Sequence, residues 1–479
     1  MAMTDLQWGG NNRPEFRKGI HGPQALLDRG RARAARTIGV EVARRIVTAS
    51  HRREAVTRMR RQTGFPDINR WDSLSLALGG TSVAVLCAAL RSVSADQDWD
   101  QAAYAALRAG ASALADGPSR LGLYDGVAGY GAAVWLLSDS ADRYPTLRKQ
   151  LDALLLPTVE RLAASPPPRV PGWPGTGYDL VNGLCGLAVY LLMRHDDRAS
   201  DQALAAVAKT LADLLDDLEP HRLVLPACGS APDTDGYVDL GLAHGLPGVL
   251  ALLSLVLRSG RVDLPAVGRS VRRGAEWTAD HLCEEAHGPA WPRLVPVDEF
   301  GRTSAAADSP GIGAVDGTVR ANPQGDRPAP DGVVGATRPG WCYGTPGVAR
   351  AIFLAGQALD DQRLQRLAVA AIKAAGHPDA VSQLASATIC HGLAGLLLVT
   401  AHFAWDTRDP ELCQMVTELF DQLVAQYDPD SLLGFVDVEV GGQVVDNPGL
   451  LNGAAGVALC LLACAEPAAP AWTRLFLLA

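Results

Sequence analysis

A glycine pair, G-x-x-G, recurs along this chain just ahead of long aliphatic and alanine-rich runs, and no other feature narrows the possible folds as far. It stands as "DGVAGYGAAVWLL" at Gly126 and Gly129, "NGLCGLAVYLL" at Gly183 and Gly186, and "HGLPGVLALLSLV" at Gly245 and Gly248. It returns as "YGTPGVARAIFLA" at Gly344 and Gly347, "HGLAGLLLVTAHF" at Gly392 and Gly395, and "NGAAGVALCLLA" at Gly453 and Gly456. An earlier copy, "LGGTSVAVLCAAL", keeps Gly79 but has Ser82 for the second glycine, which makes seven copies. Successive first glycines lie 47, 57, 62, 99, 48 and 61 residues apart, and the intervals hold a second, more polar helical stretch such as 144–164 or 202–219.

Helix pairs in series follow. The glycine-led runs are apolar nearly all round and should be buried, while their partners have one polar face and should lie outside. Small residues at i and i+3 let helix starts approach closely, as a tight inner ring requires. Neither the first nor the last copy has the polar outer face of a solenoid cap. The expected fold is therefore all-α, a seven-fold α/α toroid in one domain over 71–479. The segment 435–446 reads as a small β-hairpin turning on Gly441 and Gly442. The stretch 298–340, rich in Gly, Pro and Asp, reads as a long loop over one end of the ring.

The net charge of −9 hides an asymmetry, because the first 70 residues carry 15 Lys and Arg against 6 Asp and Glu. Residues 1–70 thus form a basic, partly helical segment. Within it Ile38, Val42 and Ile46 fall at helical spacing, so an amphipathic helix should dock its apolar stripe and leave its arginines solvated. The alternative is a docking surface for an acidic peptide or partner protein. Nucleic acid is disfavoured, since the acidic remainder would repel a phosphate backbone. No apolar run of about 18 residues and no signal-like N-terminus is present, so a soluble, cytoplasmic protein without membrane insertion is expected. Nine cysteines, an odd number, argue for a reducing compartment and for thiols free to bind metal.

The residues before each first glycine should gather at one mouth of the ring. Cys342 and Cys390 hold the same position, two before Gly344 and Gly392, in successive repeats, and His391 and His244 stand one before theirs. Two thiolates and an imidazole suit zinc, and three protein ligands leave a fourth position open for water or substrate. The competing reading makes these cysteines buried small residues, as Cys87, Cys185, Cys228, Cys283, Cys413, Cys460 and Cys464 are taken to be. His244, Asp179 in "GYDLVNG" and Arg338 extend the arc of ionisable groups over copies three to six.

Seven such helix starts, "GWCYG" and "CHG", with "YDLVNG" and "LAHGLPG" upstream, resemble the lanthipeptide cyclase family, the lanthionine synthetase C-like proteins, over roughly 75–460. The resemblance implies a double ring of α-helices and one Zn²⁺ held by Cys342, Cys390 and His391. It places His244, Asp179, Arg338 and Tyr343 in the active site. The implied reaction adds peptide Cys thiols to dehydroalanine or dehydrobutyrine in a dehydrated precursor peptide, forming lanthionine or methyllanthionine. His244 is then the candidate general acid, Asp179 orients it, and Arg338 stabilises enolate charge or positions peptide. Seventy residues ahead of the cyclase cannot hold a dehydratase, so a stand-alone enzyme is expected. Its partners would be the precursor with its leader, a separate dehydratase and an exporter, any membrane association arising through that complex. A relative that adds glutathione to dehydrated residues, and a non-catalytic peptide-binding scaffold, are the alternatives.

Overall fold

The computed structural model describes residues 25–94, 99–117, 119–138, 143–165, 175–194, 198–216, 223–226, 236–297 and 339–479. Arg338, Cys228 and all but the last two residues of the expected loop at 298–340 lie outside the described residues.

Each glycine-led run forms an inner helix, and in every copy the first glycine is its N-cap. These are α3 (Gly80–Leu90), α5 (Val127–Leu137), α8 (Leu184–Met193), α10 (Leu246–Ser259), α12 (Thr345–Ala358), α15 (Leu393–Thr407) and α17 (Ala454–Cys464). Six outer helices pack on the one preceding them: α4 (Trp99–Ala115), α6 (Pro145–Ala164), α9 (Arg198–Asp216), α11 (Pro265–Asp280), α13 (Gln362–Ala375) and α16 (Pro410–Ala425). The seventh outer place, beside α17, is taken from the other end of the chain by α1 (Arg29–Val47). The ring closes where α17 packs on α3. The remaining helices are α2 (Ala49–Gln62), α7 (Gly175–Tyr178) and α14 (Pro378–Val381). Every residue of α17 is buried, as its lack of a polar face demands.

A belt of backbone hydrogen bonds runs round the mouth through the residue two before each first glycine. Ala77 N–H donates to Tyr124 O (2.8 Å), Tyr124 N–H to Val181 O (3.2 Å), Ala243 N–H to Cys342 O (3.3 Å) and Cys342 N–H to Cys390 O (3.2 Å). Cys390 N–H then donates to Leu451 O (3.0 Å) and Leu451 N–H to Ala77 O (3.3 Å), which returns to the start. Between the third and fourth copies the donor slips by one residue, to Leu180 N–H on Ala243 O (3.0 Å). Buried amides need such partners, and here each repeat supplies its neighbour's.

The second glycines act differently from expectation. A Cβ on Gly395 would lie 2.0 Å from Ile389 O, and on Gly456 2.0 Å from Leu450 O; Gly129, Gly186, Gly248 and Gly347 likewise face the carbonyl six residues upstream. The tightest approach is thus to the turn that leads into the same helix, with the neighbouring repeat's side chain second, as Leu123 Cβ is to Gly186 at 2.8 Å. Among the first glycines, Gly344 alone has a left-handed φ, 128°, so the turn after Cys342 requires glycine.

Some of the arginines of α1 are fastened to the ring rather than solvated, and its apolar stripe docks. Val42 and Ile46 are fully buried and Ile38 packs against the same core. Arg31 makes a bidentate pair with Asp421 of α16 (2.8 and 2.7 Å), Arg36 donates to Ala465 O (2.7 Å), and Arg45 donates to Ser431 O and Pro429 O (2.7 and 2.9 Å). Exposed arginines remain at Arg29 and Arg33 on α1 and at Arg53, Arg58, Arg60 and Arg61 on α2.

The expected hairpin is present as β6 (Asp437–Val438) and β7 (Val444–Val445), with Gly441 and Gly442 at φ 104° and 83°. Among the described residues two further small antiparallel sheets stand as minor insertions in the helical ring. One orders β1 (Val224–Pro226), β2 (Gly236–Asp239) and β5 (Leu294–Val297) side by side; the other is the hairpin β3 (Cys283–Glu285) and β4 (Gly288–Ala290). A 3-10 helix at Ala471–Phe476 crosses the ring's interior: Tyr124 OH donates to Leu475 O (2.7 Å), and Trp341 Nε1 to Phe476 O (3.0 Å). Buried Arg350 donates through Nε to Leu478 O (2.9 Å).

Candidate active site

The belt of backbone bonds brings Cys342 and Cys390 side by side, and their sulfurs lie 3.2 Å apart with the Cys390 thiol donating. That hydrogen bond outweighs burial and, with His391 and His244 nearby, lowers the Cys342 pKa to about 6. The same contact and burial push Cys390 well above the ordinary thiol value. His391 is one residue on, with Nε2 3.5 Å from Asp437 Oδ1. Asp437 is buried on β6 and accepts from Ser386 Oγ (2.8 Å). The donor atoms of Cys342, Cys390 and His391 do not all fall within 4.8 Å of one another.

On the other side of Cys342, the His244 Nδ1 lies 2.8 Å from Asp179 Oδ2. Asp179 is 2% exposed, and its Oδ1 accepts from the Asn182 and Gly183 amides (2.7 and 2.9 Å) at the start of α8. One carboxylate therefore holds the turn that leads into α8 and grips the imidazole of the next repeat. Burial pulls the His244 pKa down, but the Asp179 hydrogen bond and charge, with Asp239 and Cys342, overcome it and hold it at about 9. The ring is still 41% exposed, so the imidazolium can reach a ligand at the mouth.

Tyr343 lines the wall between these groups. Its ring stacks on His244 at 5.9 Å between centroids, its hydroxyl donates to Asp239 Oδ2 (3.0 Å), and the Arg293 guanidinium sits 4.4 Å over its face. Asp239, at the end of β2, also accepts from Gly241 N–H (2.6 Å), and burial raises its pKa. Of the residues singled out from sequence, Asp179, His244, Cys342, Tyr343, Cys390 and His391 thus form one arc. Asp239, Arg293 and Asp437 were missed. A carboxylate inside an apolar strand, "YVDLGL" or "FVDVEV", was the available signal.

Residues 70–264 and 326–477 match the family described as lanthionine synthetase C-like protein, and all seven glycine-led helices lie within those stretches. The chain belongs to that family. Among curated proteins it is 22% identical over 333 residues to the nisin biosynthesis protein NisC of Lactococcus lactis subsp. lactis, which covers 66% of this chain and 70% of that protein. Among solved structures it superposes on a nisin cyclase with a TM-score of 0.65 at 19% identity, over 85% of this chain and 92% of the other. The fold is therefore that of the nisin cyclase, an α/α toroid with minor sheets. The family match spans both halves of the arc, from Asp179 and His244 to Cys342, Cys390 and His391. No described helix of this family member is long and apolar enough to cross a membrane.

Proposed function

We propose that this protein is a zinc-dependent cyclase that closes thioether rings in a dehydrated peptide. The observation that carries the reading is the Cys342 and Cys390 pair, 3.2 Å apart at equivalent positions of adjacent repeats, with the His244 and Asp179 couple beside it. Two sulfurs and an imidazole are a donor set that zinc favours over harder cations. A carboxylate behind the imidazole, as Asp437 stands behind His391, is the usual support of a metal-bound histidine. Zinc held by Cys342, Cys390 and His391 would make a substrate thiol, with a free pKa of about 8.5, a thiolate at neutral pH.

The remaining work falls to the chain. A sulfur–carbon bond forms at the β-carbon of the dehydro residue as its double bond is consumed, and the resulting enolate needs a proton at the α-carbon. His244, kept as imidazolium by Asp179, supplies that proton from the repeat next to Cys342. The thiol proton lost and the α-proton gained balance, so the peptide mass does not change. Tyr343, held by Asp239 and covered by Arg293, keeps one wall of the mouth rigid. Arg338, two residues before Gly340, is assigned to enolate stabilisation or peptide positioning. The substrate is a precursor peptide with a leader, dehydrated by a separate enzyme in the cytoplasm and later passed to an exporter.

The test is to incubate the zinc-loaded protein with a dehydrated Cys-containing peptide, alkylate free thiols and weigh the product. Wild type should leave fewer alkylated thiols than the starting peptide, and Cys342→Ala should leave all of them. Equal alkylation with the two proteins would refute the reading.

A further inference from the structure

A second cluster of metal-binding side chains lies outside the arc, where the hairpin of β3 and β4 meets the junction of α13 and α14. His287 occupies the hairpin's turn, since Glu285 pairs with Gly288 across it. Gly288, at φ 127°, sets the hairpin down on α13, where an added Cβ would stand 3.2 Å from Ala374 Cβ. His377 is the N-cap residue of α14, its Nδ1 accepting from Asp379 N–H at 3.3 Å. The two imidazoles lie face to face, 3.8 Å between centroids and 9° from parallel. Asp379 Oδ2 is 3.5 Å from His287 Nε2 and 3.6 Å from His377 Nδ1. One donor atom from each of the three residues falls within 4.8 Å of the other two.

We propose that His287, His377 and Asp379 bind a divalent transition-metal ion, zinc or nickel, at a second site independent of Cys342 and Cys390. Two imidazoles and a carboxylate suit these ions by ligand type, and nitrogen and oxygen donors sit about 2.0–2.2 Å from zinc, so binding requires the exposed rings to turn out of their parallel stack until both nitrogens face one ion. All three residues are exposed, so water completes the coordination and the ion exchanges freely. His287 lies between the two stretches that match the family, whereas His377 and Asp379 lie within the second. The same hairpin continues to Trp291, whose N–H donates to Thr345 Oγ1 (3.2 Å), and to Arg293 over Tyr343. A bound ion would pin this wall of the mouth to α13 and α14.

The experiment is calorimetric titration of the full chain, already loaded with zinc and desalted, with further Zn²⁺ and separately with Ni²⁺. The wild type should take up one more exchangeable equivalent than H287Q/H377N, in which asparagine preserves the cap acceptor, and D379N should bind that equivalent at least tenfold more weakly. Added Zn²⁺ should raise the melting temperature of the wild type and leave that of H287Q/H377N unchanged. Cys342→Ala should keep the second equivalent, which separates it from the metal proposed at the thiols. Equal stoichiometry and affinity in wild type and H287Q/H377N, or loss of the extra equivalent in Cys342→Ala, would overturn the assignment.

Discussion

His244 and Asp179, 65 residues apart in the chain, meet at 2.8 Å because the backbone belt joins their repeats through Leu180 and Ala243. The contact holds the His244 pKa at about 9 against a burial that would lower it. The folded state thus favours the imidazolium. Its contribution to stability is complete below the unfolded value near 6.5 and fades as pH rises through about 9. Asp179→Asn removes the charge and lets burial prevail. We expect cyclisation to fall by roughly 10²- to 10⁴-fold, the usual worth of a positioned acid, and the high-pH limb of the rate profile to break at lower pH than in wild type. Rates measured from pH 6 to 10 decide it. An unmoved limb would show that Asp179 only holds the turn ahead of α8.

Asp437 is the corresponding support for His391, buried at 1% exposure and 3.5 Å from Nε2. Removing such a partner weakens metal affinity by about 10- to 100-fold. Asp437→Asn should therefore lose zinc to a chromophoric chelator at a concentration that leaves wild type loaded, with its helical circular-dichroism signal unchanged. Zinc retention equal to wild type would place Asp437 in the hairpin's structure alone.

The ring itself was legible because its device is local: a glycine, a short turn and an apolar run announce each inner helix wherever they occur. The thiol pair was legible for the same reason, since equal offsets from Gly344 and Gly392 become neighbouring places in space. What escaped were contacts between distant segments. Nothing local in α1 tells that it fills the outer place beside α17, because its stripe of Ile38, Val42 and Ile46 specifies an apolar partner but not which one. The residues that cross the ring's interior, from Trp472 to Leu478, read as an ordinary apolar tail until Tyr124, Trp341 and Arg350 are seen to bind their carbonyls. Asp239 and Asp437 each sit on a strand of only a few residues, too short for its alternation to stand out. Arg338, placed in the arc by its nearness to Cys342 in the sequence, falls outside the described residues.

Two helical glycines should respond to alanine in opposite directions. At Gly395 the new Cβ would stand 2.0 Å from the Ile389 carbonyl, which belongs to the turn carrying Cys390 and cannot yield cheaply. Gly395→Ala should cost about 1–3 kcal/mol, the range for overpacked sites. At Gly268, inside α11, an added Cβ meets nothing within 4 Å. There the gain in helix propensity and the stiffer unfolded chain should stabilise by about 0.5–1 kcal/mol. Urea unfolding of the two variants tests both signs. Destabilisation by Gly268→Ala would mean that α11 is not held as an unstrained helix.

The place of α1 gives the N-terminal segment a structural duty that can be separated from any docking role. Val42 and Ile46 are fully buried, and a Cβ on Gly39 would come within 2.9 Å of Leu462 Cγ on α17. Ile46→Ala should destabilise the protein by about 2–5 kcal/mol, as buried truncations of this size do, whereas Arg53→Ala and Arg60→Ala on the exposed face of α2 should change stability by less than about 0.5 kcal/mol. If the outer ring is continuous, Ile46→Ala lowers a single calorimetric transition that includes the toroid. If residues 1–70 fold apart from it, a small early transition moves and the main one stays. The second outcome would mean that α1 does not cover the outer face of α17, against the packing of the two helices.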